Sequence, residues 1–150
     1  MSCTLYGYGR RKFLTSHFQL TDAEFEDCFE NGSLPPALFD HEAHLRLAWV
    51  YITKYGEAKA IEKVCEDIKR YDLLHGKGDK FHVTITVAAV KAVFHFHQKS
   101  EAGNFLDFIK EFPRLKTSFK ELLDQHYGFN IYSNEKAKVQ YLEPDLLPFG

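Results

Sequence analysis

The clearest pattern in the chain is the spacing of apolar residues between positions 41 and 55. From His41, the apolar residues Leu45, Ala48 and Ile52 follow at intervals of four, three and four, which is the spacing of one helical face. Asp40 stands where an N-cap residue is expected, and Gly56 supplies a stop. The pattern therefore predicts an amphipathic helix over 41–55, with Glu42 and Ala43 facing outward.

Similar spacing predicts further helices on both sides of this one. A capping-box sequence opens a short helix, and a long amphipathic segment follows Gly56 with alternating charges on its outer face. Ser133 is the expected cap of a last short helix, and a tail rich in proline, residues 143–150, is expected to lie over the body of the domain. The helices predicted with apolar faces are 22–30, 41–55, 57–74, 101–112 and 117–127.

The segment FHVTITVAAVKAVFHFH, residues 81–97, fits two patterns. Its first residues alternate between apolar and polar as in a strand. The whole run, however, is longer than most strands, is apolar nearly all round, and contains no internal breaker. No partner strand is evident elsewhere, so a buried helix is the favoured interpretation and a strand is the alternative.

Length and composition are consistent with one domain. The chain has 150 residues, 45% of them hydrophobic, which is enough for a single core without disulfides or metal staples. We predict an all-α bundle of six or seven helices over residues 21–150, preceded by an N-terminal arm, residues 1–20. The helices 41–55 and 81–98 are expected to pack at its centre.

Charge and cysteine content exclude some classes of protein. The formal charge is −2, so no basic surface of the kind that binds nucleic acid is expected. Three widely spaced cysteines argue against a disulfide framework or zinc knuckle. No segment resembles a secretory signal or a membrane helix, so we expect a cytoplasmic protein that contacts neither nucleic acid nor membrane.

Three histidines are the leading candidates for chemistry. In a helix that starts after Asp40, His41 and His44 project from adjacent turns on one side. Neutral imidazoles in such positions hold divalent transition metals, and His82, at the start of the 81–98 helix, is the expected third ligand. Without a metal, close imidazoles can act as acid and base near neutral pH. Solvated or capping histidines are the simpler alternative.

Two well-known motifs are absent. The zinc-protease sequence HExxH requires the second histidine four positions after the first, whereas His41 and His44 are three positions apart. The glycines at 76 and 78 precede no GK[ST] sequence, so the loop is not a P-loop.

Four other residues complete the predicted site. Arg46 is expected to hold an anionic group of a small ligand, and an internal salt bridge is the simpler alternative. Trp49 is expected in the core or the pocket wall and Thr84 in ligand binding, while Thr84 or Thr86 is expected to orient a histidine or the ligand. Because buried hydroxyls must be hydrogen-bonded, the alternative for both threonines is bonding to backbone carbonyls.

Two stretches, FDHEAHLRLAWVYI (39–52) and KFHVTITVAAV (80–90), resemble the paired motifs of a family of small uncharacterised bacterial proteins. That family reads approximately FxHxxHLxLAW and then KYHxTxT, and the tail YLEPDLLPF is similar to its ending. The resemblance, from about Thr21 to the end, implies an all-helical fold and so favours a helix over 81–97. It points to the same seven residues, but Phe81 replaces the family's tyrosine, and no activity is implied.

Together these patterns predict a small helical protein with a histidine-rich metal or small-molecule site. The expected chemistry is metal-assisted or acid-base chemistry on an anionic small substrate. The alternative is an interaction protein without catalytic activity, in which the histidines are structural and an aromatic surface forms a homodimer or a partner interface. The aromatic residues expected in that surface are Phe105, Phe108, Phe112 and Phe119.

Overall fold

A computed structural model describes residues 14–150 of the chain. This part is all-α, with eight α-helices and no strand. The helices are α1 (Asp22–Glu30), α2 (His41–Tyr55), α3 (Glu57–His75), α4 (Val83–Lys99), α5 (Phe105–Glu111), α6 (Arg114–Thr117), α7 (Phe119–Asp124) and α8 (Glu135–Val139). Two short 3₁₀ helices, His17–Gln19 and Pro36–Leu38, flank α1.

The three longest helices, α2, α3 and α4, pack against one another and form the centre of the fold. The sharp connection between α2 and α3 depends on Gly56, whose φ of 84° is in the region that glycine tolerates best. Leu45, Ala48 and Ile52 are buried as the spacing predicted. The predicted all-helical architecture is therefore confirmed.

The segment 81–97 is helical, and the strand alternative is wrong. Its first turn is capped by the His82 side chain, whose Nδ1 accepts a hydrogen bond from the Ile85 amide (3.1 Å). Helix α4 is apolar nearly all round because it contacts α2, α3 and α8 on different sides. A helix enclosed in this way has no wide polar face, which explains why its sequence lacks clear amphipathic spacing.

Several predicted boundaries differ from the structure. The helix predicted over 101–112 begins at Phe105, because Asn104 caps it. The one predicted over 117–127 is the shorter α7, and Thr117 at its predicted start instead ends α6, which meets α7 at Ser118. The last helix is capped by Asn134, whose side chain accepts from the Ala137 amide, and not by Ser133.

The two ends of the described chain are fixed to the bundle. Of the predicted N-terminal arm, residues 1–13 lie outside the described residues, while residues 14–20 include His17, which is 1% exposed. At the other end, the His126 ring stacks on Phe149 (4.0 Å between centroids) and hydrogen-bonds the Leu147 carbonyl. The tail therefore lies over the domain, as expected.

Aromatic residues serve mainly as core. Phe105 and Phe108 are 2% and 0% exposed, and Phe112 and Phe119 pack against the same core. The aromatic surface expected in a homodimer interface is therefore wrong for Phe105 and Phe108, while Phe112 and Phe119 are partly buried. Among residues 14–150, none of the helices has the length and apolar character required to cross a membrane.

Candidate functional site

A cleft lies between the ends of α2, α3 and α4. It has two adjoining parts of about 400 Å³ and about 300 Å³, and His44, Ile68, Ile85 and Thr86 line both. Its apolar walls contain the following residues: Pro36, Phe39, Leu45, Ala48, Val64, Ile68, Tyr71, Phe81, Ile85, Ala89, Val90 and Phe119. All three predicted histidines line it, His82 in the larger part and His41 in the smaller one.

His44 is the histidine whose ring is available to a ligand. The ring stacks on Phe39, with centroids 3.7 Å apart, and Nδ1 lies 2.7 Å from the Asp40 carbonyl oxygen. Since a carbonyl can only accept, Nδ1 carries the hydrogen and Nε2 bears the lone pair. His44 lies at the exposed rim of the cleft, and desolvation by the packed protein beside it lowers its pKa, with the neighbouring His41 acting in the same direction. The ring is therefore neutral at pH 7 and can accept a hydrogen bond or proton through Nε2.

His41 faces the smaller part of the cleft. Its Nε2 donates to the Leu115 carbonyl (3.0 Å), and the ring lies against Phe119 with centroids 5.0 Å apart. The contact to Leu115 connects α2 to α6 and fixes the ring, leaving Nδ1 as an acceptor. His41 thus has both a structural contact and a free lone pair.

His82 is occupied at both ring nitrogens. Nδ1 accepts from the Ile85 amide, and Nε2 lies 2.8 Å from the Ile131 carbonyl oxygen, to which it donates. Desolvation lowers the pKa of His82, with a contribution from Lys138, so the ring remains neutral. His82 therefore ends the 76–82 loop and starts α4, and has no free nitrogen for a metal or a proton.

The three histidines do not converge as a metal-binding set. Among residues 14–150, one group of three ligand atoms lies within 4.8 Å of one another, and it comprises His17, Asp40 and Glu42. The predicted set of His41, His44 and His82 fails because backbone contacts hold the rings apart and His82 has no lone pair left. A metal bound by all three would require these contacts to break.

The group around His17 is a closed hydrogen-bond network. His17 Nε2 donates to Glu42 Oε1 (2.9 Å), and its Nδ1 faces Arg46 Nη1 (3.3 Å). Asp40 accepts from the Ala43 amide as the N-cap of α2, and Lys116 pairs with Glu42. Since the ligand atoms already have protein partners, the group accounts for the fixing of residues 14–20 on α2 and does not need an ion.

Titration of this network favours neutral His17 beside ionised Glu42. Burial lowers the pKa of His17, the hydrogen bond with Glu42 opposes this, and the Arg46 charge adds to the lowering, so the net direction is downward. Burial alone would raise the pKa of Glu42, but hydrogen bonds from Lys116 and His17 reverse the direction and lower it. The prediction that Glu42 and Ala43 face outward is wrong, since Ala43 is fully buried and Glu42 is mostly enclosed.

Arg46 does not line the cleft. It is 5% exposed, and its guanidinium donates twice to Asp22 Oδ1 and once each to the carbonyls of His17 and Leu20. It also lies over the Phe25 ring at 4.8 Å. All of its N–H groups therefore have protein partners once the contact to His17 Nδ1 is included. The predicted binding of an anionic ligand has no support here, and the internal salt bridge is present.

Trp49 and Thr84 also lie away from the cleft. Trp49 is 5% exposed and packs near Phe105 and Phe108. Thr84 is fully buried, donates to the Gln140 carbonyl (2.8 Å) and accepts from the Leu142 amide (3.1 Å). Trp49 is thus a core residue, and Thr84 anchors the C-terminal segment to α4.

Thr86 lines both parts of the cleft. Its hydroxyl donates to the His82 carbonyl (2.6 Å), the backbone bond expected of a helical threonine, and its lone pairs remain available. Of the seven predicted site residues, His41, His44, His82 and Thr86 share the cleft, while Arg46, Trp49 and Thr84 do not.

The sequence patterns missed Asp72, which lines the larger part of the cleft. Asp72 Oδ2 accepts from the amides of Lys80 and Phe81 (2.8 and 2.9 Å), closing the glycine-containing loop. Its position four residues after Ile68, on the inward face of α3, was the available signal. An acidic residue at an apolar position of a helix is a reason to expect a hydrogen-bonding role.

Comparison with known proteins identified no relative. No family model, no curated protein and no solved structure matches the chain. The family resemblance of the two motifs is therefore untested, and the site must be interpreted from its own geometry.

Proposed function

We propose that this protein binds a small organic molecule in the cleft and uses His44 as the hydrogen-bond and proton acceptor. The observation that carries the proposal is the combination of an apolar cleft with a neutral imidazole whose Nε2 has no partner among residues 14–150. Ligand sites are typically concave and apolar, with few convergent polar groups and volumes of about 300–1,000 Å³. Both parts of the cleft fall at the lower end of that range.

Acid-base chemistry fits these contacts better than metal-assisted chemistry. A histidine with a lowered pKa is a stronger candidate for a proton acceptor at neutral pH than for a permanent cation. The stacked Phe39 and the Asp40 carbonyl fix the ring plane and tautomer, which an effective base requires. Metal binding by the three histidines would cost the contacts that hold α2 and α4 in place.

The alternative, an interaction protein without catalytic activity, has less support than the cleft because the phenylalanines expected in its interface contribute to the core. The four phenylalanines assigned to that surface belong to the core or pack on it. Their burial supports the view that the aromatic content of the chain serves folding, and leaves the cleft as the stronger candidate for function.

The test compares small-molecule binding to the open cleft of wild type with binding to a cleft that a tryptophan side chain fills. A library of aromatic and aliphatic fragments would be screened by amide NMR shifts against wild type, Ala89→Trp and Ala58→Trp. Ala89 lines the smaller part of the cleft, whereas Ala58 is exposed on α3 and serves as the matched control. We expect shifts at cleft residues in wild type and in the Ala58 variant, and their loss when Ala89 is replaced.

A second pair of variants tests His44. His44→Gln is expected to weaken the fragments that donate a hydrogen bond, while His95→Gln, on another surface of α4, is expected to leave them unchanged. Absence of any fragment that shifts cleft residues in wild type would contradict the proposed function. Equal effects of the two histidine substitutions would contradict the role of His44.

A further inference from the structure

Several side chains that line the cleft use their hydrogen-bond donors in the same way. His44, His41 and Thr86 each donate their hydrogen to a backbone carbonyl. His75 does the same, with Nε2 2.6 Å from the Gly32 carbonyl oxygen. Since these donors are engaged, the lone pairs that these side chains leave toward the cleft are acceptors, and Lys80 is the donor that also lines it.

Asp72 is the charged member of this set. It is 7% exposed, and none of the ion pairs among residues 14–150 includes it. Both backbone amides that bind it contact Oδ2, and Oδ1 has no hydrogen-bond donor in the described chain. Among residues 14–150, Tyr141 Oη is the buried side-chain polar atom without a hydrogen-bond partner. The unpartnered Asp72 Oδ1 is therefore not sealed from solvent, and Asp72 lines the larger part of the cleft. A buried carboxylate oxygen without a cation is costly unless a donor reaches it.

The space next to this oxygen depends on Gly76. A Cβ at position 76 would lie 3.0 Å from Asp72 Oδ1, so a larger residue there would cover the oxygen. Aromatic rings are close by, since Phe39, Tyr71 and Phe81 line the same part of the cleft. A carboxylate in a cleft that aromatic rings also line is a suitable environment for an organic cation, because ring faces attract positive charge.

We infer that the ligand of the cleft is a protonated amine with an apolar body, and that Asp72 Oδ1 binds its ammonium group. This inference rests on the proposed function and specifies its ligand class. It replaces the anionic substrate expected from Arg46, whose guanidinium is enclosed on the other side of α2. The acceptors His44 Nε2 and Thr86 Oγ1 are then available to further N–H donors of the same ligand.

Lys80 is the cation that competes with this assignment. It lines the larger part of the cleft and is exposed, and its ammonium is in no ion pair among the described residues. An anionic ligand would therefore use Lys80, and an amine would use Asp72. The two residues give opposite predictions for ligands that differ only in the charge of one group.

The experiment compares three probes that share a phenyl group and differ in charge: phenethylamine, 2-phenylethanol and 3-phenylpropionate. Affinities would be measured by NMR titration of the full chain at pH 7. We expect phenethylamine to bind at least about tenfold more tightly than either other probe, the effect of one charge-assisted hydrogen bond in a partly dry site. This comparison uses wild type and does not depend on any variant.

Two variants, one that removes an acidic residue of the cleft and one that removes a basic residue, provide the second measurement. Asp72→Asn keeps an oxygen for the Lys80 and Phe81 amides but can present an NH₂ group in place of Oδ1. We expect it to remove the preference for phenethylamine and leave 2-phenylethanol binding unchanged. Lys80→Met, the matched control, is expected to retain or increase amine binding.

The outcomes distinguish failure of the amine inference from failure of the proposed function. Equal binding of all three probes, or a preference for 3-phenylpropionate that Lys80→Met removes, would overturn the amine inference and leave the cleft as a binding site. Retention of the amine preference in folded Asp72→Asn would also overturn it. If no probe or fragment shifts the cleft residues, the proposed function fails and the inference fails with it.

Discussion

Replacing Arg46 with methionine tests whether this residue is part of the fold or of the ligand site. The substitution removes donors from the His17 and Leu20 carbonyls, at a net cost of about 1 kcal/mol for each hydrogen bond. The contact with Asp22, whose side chain is 48% exposed, contributes about 1 kcal/mol, and the loss of the cation over Phe25 has a similar cost. The expected loss is about 3–4 kcal/mol.

That loss is a large fraction of the 5–15 kcal/mol typical of a folded domain. It would be measured by urea unfolding, with the slope of the transition checked for constancy between variants. Arg114→Met is the matched control because Arg114 is exposed and its side chain has no hydrogen bond or ion pair among the described residues. The control is expected to change stability by less than about 0.5 kcal/mol.

A small effect of Arg46→Met on stability would refute this reasoning. If the variant lost less than about 1 kcal/mol and also lost affinity for anionic fragments, Arg46 would be a ligand-binding residue as its sequence context suggested. If it lost stability as calculated but bound cleft ligands normally, the structural assignment would be confirmed.

Three further predictions follow from buried groups outside the cleft. Thr84→Val should cost about 1–3 kcal/mol and speed amide exchange in residues 140–150, because two backbone groups lose their partner, whereas Thr86→Val should cost less than about 1 kcal/mol; equal costs would contradict the anchoring role. The folded pKa of His17 is lowered, so the unfolded chain binds its proton first and stability should fall as pH drops below about 6.5, by up to about 1.4 kcal/mol per pH unit. Denaturant titrations at pH 7 and pH 5 should show a smaller decline in His17→Gln, and an equal decline would contradict this. Burial raises the pKa of the Cys65 thiol to about 11, so iodoacetamide should modify it far more slowly at pH 8 in the folded chain than in urea, as read by peptide mass spectrometry; equal rates would contradict the burial.

The helices that form the centre of the fold were predictable because their determinants are local. The spacing of Leu45, Ala48 and Ile52 defines one buried face of α2, and Asp40 accepts from the amide three residues later as a cap does. Helix α4 could not be assigned from spacing alone, because three neighbouring helices bury it and leave no polar face. Its length and lack of breakers were the informative features.

The site was predictable only in part because its decisive contacts join distant residues. His41 binds a carbonyl 74 residues away, and His82 binds one 49 residues away. Those contacts determine which ring nitrogen remains free, and no local pattern encodes them. Arg46 illustrates the same limit, since its position between apolar residues suggested an internal salt bridge but did not indicate that Asp22 and two carbonyls of the preceding segment would be its partners.

The central claim is that His44 presents an unprotonated Nε2 to a ligand in the cleft, and ring-nitrogen NMR tests it most directly. With ¹⁵N-labelled histidine at pH 7, His44→Gln identifies the His44 signals, which should be those of a neutral ring protonated at Nδ1. Addition of a cleft-binding fragment with an N–H donor should then shift the Nε2 resonance toward that of a hydrogen-bonded nitrogen. A His44 ring protonated at Nε2, a cationic ring at pH 7, or an Nε2 resonance unchanged under saturating ligand would contradict the claim.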